Sequence, residues 1–505
     1  MNKSAVVLSG VIVALGAVSA GGAWYTGNQL EGVLQTAIED ANTALKSSMA
    51  GTDGDVTLEL VSLDRGVFTS TARYRLRAQG NLFGEHSNDT ELLFLDHIEH
   101  GPLPLSRLIA LQWRPVMAVS HYQLEKNATT QHWFAATQDA APLKGVASID
   151  YNRSVDVNIE LLPFDLTADD KTSLGFSGLK VALSSTAQAQ AVTGSGTMDS
   201  FKLTHTPDAE PPVTIELSGL SLASTLEKSG YGFYLGQNTV TLANTKVTFG
   251  PQQSVLTVRD VQQKQSSQAK DSNMAGRLDY QIGEIGFQGK PVGSAALSMS
   301  MKNIDIPAMH SLAELFQAKI KPLQATATAA AGQPEPELTL SDAEQDQVKA
   351  DIAKLLSAKP QLAVETLSLK TTNGESRFNL VLDLTNPAST ELPPLELGKQ
   401  LVALLEANLS LSKPMLADIA ALQAQIAGQT DAKVIALKSL MAGELVAAMA
   451  TATQLATVKG NDIVSTLHYA NNEVHFNGQT MTVEQFISLV MRNLPAAGGA
   501  QQQVL

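Results

Sequence analysis

The sequence predicts an α+β protein with one N-terminal transmembrane helix, followed by a large antiparallel β-sheet-rich periplasmic body with packed helices. Three observations lead to this fold class. The chain opens with an uncharged apolar run, and its middle third alternates apolar and polar residues with turn residues about every 8–12 positions. Helical spacing then replaces strand spacing after several prolines.

The N-terminal run has the length of a membrane span. Residues 4–30 are 27 consecutive residues without a charge, and Lys3 precedes them. The most apolar part, residues 5–23, would extend about 28 Å as a helix, close to the roughly 30 Å of a hydrocarbon core. Trp24 and Tyr25 follow, where amphipathic aromatic side chains meet the far membrane interface. The sequence therefore predicts a single-pass anchor at residues 1–27, with the following body on the exterior side of the membrane, in a periplasm.

The alternative for this run is a cleaved secretory signal. The stretch Val18-Ser19-Ala20 offers a small-residue cleavage site, whereas signal-peptide apolar regions are shorter, about 7–15 residues. The next segment, residues 28–50, favours a retained anchor because it predicts an amphipathic stalk helix that leads outward from the membrane. Its apolar residues recur at helical spacing: Leu30, Val33, Leu34, Ala37, Ile38, Ala41 and Leu45.

Composition excludes several classes of function. The 505 residues carry a net charge of −14, which repels phosphate backbones and argues against nucleic-acid binding and a polybasic grip on anionic lipid. The chain has no cysteine, so disulfides, thiol nucleophiles and thiolate metal sites are excluded. No cofactor is expected.

The body begins with two strand-rich regions. Residues 51–145 predict an N-terminal α+β region, in which strands precede a helical pattern within HGPLPLSRLIALQW (100–113). Residues 146–306 predict a long β-rich meander of alternating Val, Leu and Ile.

The remaining chain mixes helices and strands. Residues 307–360 predict a helical segment with an Ala/Pro linker at 325–337, and residues 361–494 predict a C-terminal α+β region. Within that region, 362–384 predicts a hairpin that turns at Asn373-Gly374. Ala-rich helices at 414–457 precede a final strand pair and a short helix, and the tail at 495–505 is expected to be disordered.

Three prolines predict one recurring corner. Pro104, Pro307 and Pro414 each follow a strand pattern and precede a helical one. Proline fits the first turn of a helix, where its missing N–H costs no hydrogen bond. The sequence therefore predicts helices that fold back onto a sheet at these corners.

Candidate site chemistry is sparse. His97 and His100 are three residues apart and would share a metal on a helix, but a strand directs them to opposite faces, so a structural role for His100 is favoured. Arg65-Gly66 and His100-Gly101-Pro102 are interpreted as backbone devices, in which glycine permits unusual dihedral angles and proline provides rigidity. No catalytic motif of the serine-hydrolase elbow, zinc-protease or EF-hand type is present.

Several blocks resemble the YdgA-like family. These are the opening MNKS…VIVALG…GGAWYTG, RGVFTSTARYRL, HGPLPL and the closing YANNEVHFNGQTMTVEQF. The resemblance implies a bacterial inner-membrane-anchored periplasmic protein of undefined biochemical function, with self-association and no accepted catalytic residues. The family-motif residues, interpreted as structural, are Arg65, Gly66, His100, Gly101, Pro102, Pro104, Asn477 and Gly478.

Three functional hypotheses follow. The leading one is a non-enzymatic, membrane-anchored binding or envelope-maintenance protein that shelters a lipid or another hydrophobic ligand on a curved sheet. The alternative is a homodimeric scaffold or assembly factor that uses the stalk helix or the helices at 414–457. The third is an envelope hydrolase, which would need a polar constellation that the sequence does not display.

Overall fold

Antiparallel β-strands dominate the computed structural model, and the predicted α+β class with a large antiparallel sheet is confirmed. The structure describes residues 30–49, 54–80, 89–169, 171–208, 210–316, 319, 340–389 and 391–493. The predicted anchor at 1–27, the linker at 325–337 and the tail at 495–505 lie outside the described residues.

The chain divides into two units. Unit 1 comprises residues 1–243 and 314–339, and unit 2 comprises residues 244–313 and 340–505. The boundary falls within one long strand, Tyr234–Phe249. The seven-part division expected from the sequence stays a prediction.

Unit 1 is built on a sheet in which most neighbours in sequence are also neighbours in space. The sheet order is β1-β2-β3-β4-β5-β6-β9-β10-β11, all antiparallel, while β8 pairs with the second half of β10 and β7 pairs with β8. Its elements are α1 (Leu30–Met49), β1 (Gly54–Arg65), β2 (Thr69–Gly80), β3 (Asp89–His100), α2 (Leu105–Ile109), β4 (Ala118–Leu124), α3 (Gln131–Ala136), β5 (Leu143–Ile149), β6 (Val155–Leu161), β7 (Phe164–Asp169), β8 (Thr172–Phe176), β9 (Leu179–Ser185), a 3₁₀ turn (Ala187–Ala189), β10 (Ala191–His205), β11 (Val213–Lys228) and β12 (Tyr234–Phe249).

Helix α1 packs on this sheet and does not extend outward as a stalk. Leu34, Ile38 and Leu45 are buried in one cluster with the inward side chains of the first strands. The helical spacing was read correctly, but its apolar face is buried by the protein's own sheet. A stalk helix would leave that face in water at a cost of about 1.5–3 kcal/mol per large side chain.

Asn42 on α1 covers the outer edge of the sheet. Its side-chain Nδ2 donates to the carbonyl oxygen of Leu58 at 2.9 Å, and the Leu58 N–H donates to Asn42 Oδ1 at 2.8 Å. Leu58 lies on β1, whose strand partner in the sheet is β2 on the other side. The amide therefore satisfies backbone groups that an edge strand would otherwise offer to another chain.

Unit 2 also consists of antiparallel strands, with helices inserted at corners. Its strand order is β13-β14-β15-β16-β17-β18-β20-β21-β22, and β19 pairs with β20. Its elements are β13 (Ser254–Lys270), β14 (Asn273–Phe287), β15 (Lys290–Asp305), α4 (Ile306–Leu315), α5 (Asp342–Ser357), β16 (Gln361–Thr371), β17 (Glu375–Leu384), α6 (Pro394–Leu401), β18 (Val402–Ser412), α7 (Lys413–Ile426), α8 (Ala432–Ala452), β19 (Thr457–Lys459), β20 (Asp462–Ala470), β21 (Glu473–Phe476), β22 (Gln479–Thr482) and α9 (Val483–Asn493).

The three proline corners are present. Pro104 is the N-cap of α2, while Pro307 and Pro414 are the second residues of α4 and α7. The helix expected within 100–113 is only five residues long, because Leu111 takes a left-handed backbone conformation with φ 57°. Such a residue cannot continue a right-handed helix.

The predicted hairpin at 362–384 forms from β16 and β17, with a three-residue turn at 372–374. Gly374 is required by a close approach of α7, since a Cβ there would lie 2.0 Å from Ser412 Oγ and 3.0 Å from the Met415 nitrogen. Asp418 of α7 also accepts a hydrogen bond from the Asn373 backbone N–H at 3.2 Å. The turn therefore holds the start of α7.

Asn42→Ala is expected to destabilise unit 1 by about 1–3 kcal/mol, because it leaves the Leu58 N–H and carbonyl without partners. Denaturant unfolding followed by hydrogen exchange of the β1 peptide measures the effect. The matched control is Gln35→Ala, which removes an exposed amide from the same helix. Equal exchange of β1 in both variants would contradict the edge role of Asn42.

Candidate functional site

Most of the predicted site residues meet at one end of the unit 1 sheet. Here β1 turns into β2, β3 passes to β4, and β5 turns into β6. We call this end the corner and define it as residues 66–68, 101–117 and 150–154. Arg65 and His100 are the last residues of β1 and β3 and border it.

One backbone hydrogen bond closes the β1–β2 turn, and a second joins this turn to β3. The Gly66 N–H donates to the Thr69 oxygen at 2.9 Å, and the His100 N–H donates to the Phe68 oxygen at 2.8 Å. The His100 Nε2 lies 2.9 Å from Ser70 Oγ, and partial burial lowers the pKa of the His100 imidazole. His100 is therefore positioned as part of the turn.

Gly101, Pro102 and Pro104 shape the β3–β4 connection. The Gly101 N–H donates to the Met117 oxygen at 2.7 Å, and a Cβ on Gly101 would lie 2.0 Å from the Val116 oxygen. The Gly101–Pro102 peptide bond is cis. Gly66 is constrained in the same way, since its Cβ would lie 2.5 Å from the Thr69 oxygen. Both glycines permit close backbone approach, whereas the sequence had suggested unusual dihedral angles.

Polar side chains fasten the remaining loops of the corner. Glu99 accepts hydrogen bonds from the backbone N–H and hydroxyl of Ser106, at 3.0 and 2.5 Å. Arg114 pairs with Asp150 of the β5–β6 turn at 2.5 Å. The corner is thus a set of loops held in place by specific hydrogen bonds.

The corner nevertheless presents large apolar side chains to solvent. Phe68 is 79% exposed, Ile109 75%, Leu111 72% and Trp113 66%. A hairpin turn carrying Val67-Phe68 is a signal that the sequence offers, because such turns ordinarily carry Gly, Asn or Asp. The other exposed apolar residues here are Val67, Leu103, Leu105 and Tyr151.

Asp96 is a fully buried carboxyl in the core behind the corner. Ser120 Oγ donates to its Oδ1 at 2.6 Å and Tyr74 Oη to its Oδ2 at 3.3 Å. Burial raises the pKa of Asp96 to about 6, and these two hydrogen bonds oppose the rise. The sequence signal was its alternation with Phe94 and Ile98, which places Asp96 on the inward face of β3.

Asn477 and Gly478 lie in unit 2 and form the turn between β21 and β22, with φ of 50° and 82°. The Asn477 side chain accepts from the Thr466 N–H at 2.8 Å and donates to the Leu455 oxygen at 3.2 Å. This pair therefore ties the final hairpin to β20. The predicted membrane-interface residues Trp24 and Tyr25 lie outside the described residues.

The unit 2 sheet carries an aliphatic face that is open to solvent. Residues directly opposite each other in register share a face, so the pairing of β14 through β18 defines three parallel rows. Two of their residues, Leu367 and Leu362, are 47% and 42% exposed. None of the side chains in the three rows is fully buried. The rows are Tyr280-Leu297-Leu367-Phe378-Leu409, Leu278-Met299-Val364-Leu380-Ala407 and Gly276-Met301-Leu362-Leu382-Leu405.

The opposite face of the same strands is polar. Arg277 donates to Asp279 at 2.8 Å and pairs with Glu365, while Ser298 donates to Asp279 at 2.6 Å. Hydrogen bonds from Arg277 hold the pKa of Asp279 below its usual value. The sheet is therefore amphipathic.

Helix α8 has an exposed apolar stripe. Its opposite side packs on α7, where a Cβ on Gly443 would lie 2.9 Å from Lys413 Cβ. In the part of the chain that the structure describes, α8 is the one helix long and apolar enough to cross a membrane, a test that core helices also pass. The stripe residues are Leu437, Leu440, Met441, Leu445 and Met449.

Within the described residues, no group of three or more histidine, aspartate or glutamate side chains is arranged to hold a metal ion. His97 faces His121 across the β3–β4 register. His100 pairs instead with Ser70. The features that sequence reasoning missed are the buried Asp96, the exposed apolar corner and the stripe on α8.

These features define an antiparallel-sheet protein with exposed apolar surfaces, in which hydrogen bonds hold the motif residues around His100 in place. The chain belongs to the family described as "Bacterial protein of unknown function (DUF945)", whose model matches residues 1–484. The resemblance to YdgA-like proteins, identified from the sequence blocks above, is thereby confirmed.

Two full-length relatives come from Escherichia coli strain K12. The chain is 27% identical to "Protein YdgA" over 520 residues that cover all of both chains. It is 24% identical to "Uncharacterized protein YihF" over 509 residues, which cover 97% of this chain and 98% of the relative. No solved structure matches this chain.

Asp96→Asn is expected to remove one pH dependence of unit 1. The pKa of Asp96 is raised on folding, so its stabilising contribution is complete below about pH 4 and is lost as the pH rises through about 6. The loss amounts to about 3 kcal/mol for a shift of about two pKa units. Because asparagine does not ionise, the variant should not show this loss.

Thermal unfolding between pH 4 and 8 tests this prediction through the difference between wild type and variant, since other carboxylates contribute equally to both. The wild type should lose stability relative to Asp96→Asn as the pH rises from 4 to 7. If the melting temperatures of the two proteins changed with pH in parallel, the ionisation of a buried Asp96 would be contradicted.

Proposed function

We propose that this protein is a non-enzymatic, membrane-anchored binding protein of the bacterial envelope. It shelters the acyl chain of a lipid on the aliphatic face of β14–β18. The observation that carries the proposal is the open aliphatic face itself. Contiguous exposed apolar surfaces mark interaction sites with other molecules.

The chemistry of the face favours a flexible aliphatic ligand. The three rows consist of Leu, Met, Val, Phe, Tyr and Ala with one glycine, and the neighbouring positions along each strand turn to the polar side. Strand backbone groups are paired within the sheet, so the face offers dispersion contacts and few hydrogen bonds. An acyl chain needs such contacts and no polar partner.

The anchor supports a location next to lipid. Residues 4–30 lack charge, and the sequence after them continues directly into α1. We propose that this run holds the protein in the inner membrane with both units in the periplasm. This would place the open face close to a source of lipid.

Leu367→Glu is expected to abolish lipid binding on the sheet. A carboxylate in the middle of the first row would have to be desolvated beneath an acyl chain, which carries a large free-energy cost. Native mass spectrometry of the detergent-solubilised full chain should show bound phospholipid on the wild type and lose that adduct in the variant.

The matched control is Thr366→Glu, which places the same charge one residue away on the polar face, where Thr366 is already exposed. Because both variants keep the anchor, lipid held by the anchor itself cancels in the comparison. Equal adducts on the two variants would refute binding to this face.

The stripe on α8 supports a second function, a homodimeric scaffold. Five exposed apolar side chains recur at helical spacing, and pairing with a second copy would bury them. The helices at 414–457 were the expected site of self-association. In the structure the exposed stripe belongs to α8, while Met415 at the start of α7 is buried.

Leu440→Cys is expected to form a disulfide-linked dimer in oxidised intact cells, because the stripes of two copies would face each other and the chain has no other cysteine. Non-reducing electrophoresis measures the product. The control is Ala436→Cys, which is exposed on the same helix but lies about half a turn away from the centre of the stripe. Monomer alone from Leu440→Cys would refute the dimer.

A further inference from the structure

The exposed apolar residues of the corner form one surface at the end of unit 1. Their loops are joined by backbone hydrogen bonds from His100 to Phe68 and from Met117 to Ile149, at 2.8 and 2.7 Å. The side chains at their tips remain free of protein contact over most of their area, as the exposures of Phe68 and Leu111 show.

The direction of α1 places its first residue at the same end as the corner. Four residues join the end of α1 at Met49 to the start of β1 at Gly54, so those two ends are neighbours. The contact between Asn42 and Leu58 then fixes the helix antiparallel to β1.

Measured from the contact between Asn42 and Leu58, the start of α1 and the end of β1 lie at similar distances. From Asn42 back to Leu30 the helix rises about 18 Å, at about 1.5 Å per residue. From Leu58 forward to Arg65 the strand advances about 23 Å, at about 3.3 Å per residue. The beginning of α1 and the β1–β2 turn thus lie at nearly the same level.

The 27-residue uncharged run ends where α1 begins. We infer that the corner docks onto the lipid surface of the same membrane that holds this run, with its apolar side chains inserted at the interface. The inference goes beyond lipid binding by the sheet of unit 2 and does not depend on it.

The composition of the corner fits a bilayer interface. Trp113 and Tyr151 are amphipathic aromatics of the kind enriched at the headgroup level. Phe68, Ile109 and Leu111 are exposed apolar side chains that can insert below the headgroups. Four arginines (65, 107, 114 and 153) lie within or beside the corner against three carboxylates (64, 99 and 150). In a chain of net charge −14, this region therefore does not repel anionic headgroups.

Single cysteines test the inference in the full chain, which has none of its own. Phe68→Cys and Leu111→Cys carry an environment-sensitive fluorophore at the corner. Ala128→Cys carries the same fluorophore beyond the end of β4, at the opposite end of the sheet. Each labelled protein is reconstituted into phosphatidylcholine–phosphatidylglycerol vesicles and exposed to nitroxide-labelled lipid or to aqueous iodide.

Labels at 68 and 111 should be quenched by nitroxide placed about 5–10 Å below the headgroups and protected from iodide. The label at 128 should show the reverse. Corner labels that behave like the label at 128 would overturn the inference. Protection from iodide without lipid quenching would also overturn it, because a protein partner or a second copy would then cover the corner.

A charge variant adds a second arm. Ile109→Asp in the Phe68→Cys protein should abolish lipid quenching at position 68, while vesicle flotation stays unchanged because the anchor remains. Circular dichroism confirms that the variant is folded. Undiminished lipid quenching in a folded Ile109→Asp variant would exclude insertion of the corner, whatever the outcome of lipid binding to unit 2.

Discussion

A sheet with one aliphatic face must cover that face or leave it to be covered by another molecule, and the two units meet this constraint differently. In unit 1, α1 and the inward side chains of the first strands bury one another completely, with Leu34 and Phe94 fully inaccessible. In unit 2, three rows across β14–β18 stay partly accessible. The first arrangement is a protein core. The second is an apolar surface in contact with water, so its burial by another molecule would be favourable.

Strand alternation predicted the architecture because the period of two is a local property of the chain. The strands expected in the first part of residues 51–145 and the hairpin expected at 362–384 are present, and the proline corners at 104, 307 and 414 introduce helices. Which element covers which face is decided by tertiary contacts. That is why α1 was expected to stand away from the body, although its apolar spacing was recognised.

The candidate sites show the same limit. The structural interpretation of the motif residues around His100 stays a prediction. The space at Gly101 is restricted by the carbonyl groups of Val116 and Met117 at the far end of the β3–β4 connection, whereas at Gly66 it is restricted by the carbonyl group of nearby Thr69. Asp96 is separated from Ser120 by 24 positions, so no local pattern reports their hydrogen bond. The exposed apolar corner could have been suspected from Val67-Phe68 in a turn, but its extent depends on three separate loops meeting.

The contact between Asn42 and Leu58 also bears on the order in which the chain is made. During synthesis, α1 precedes β1, so the helix that covers the edge strand is available before the edge exists. Newly formed β1 can therefore pair with β2 on one side and meet α1 on the other, with little time as an open template for a neighbouring chain. A circular permutant that moved α1 to the end of the chain would keep the same native contacts and lose this protection while it folds.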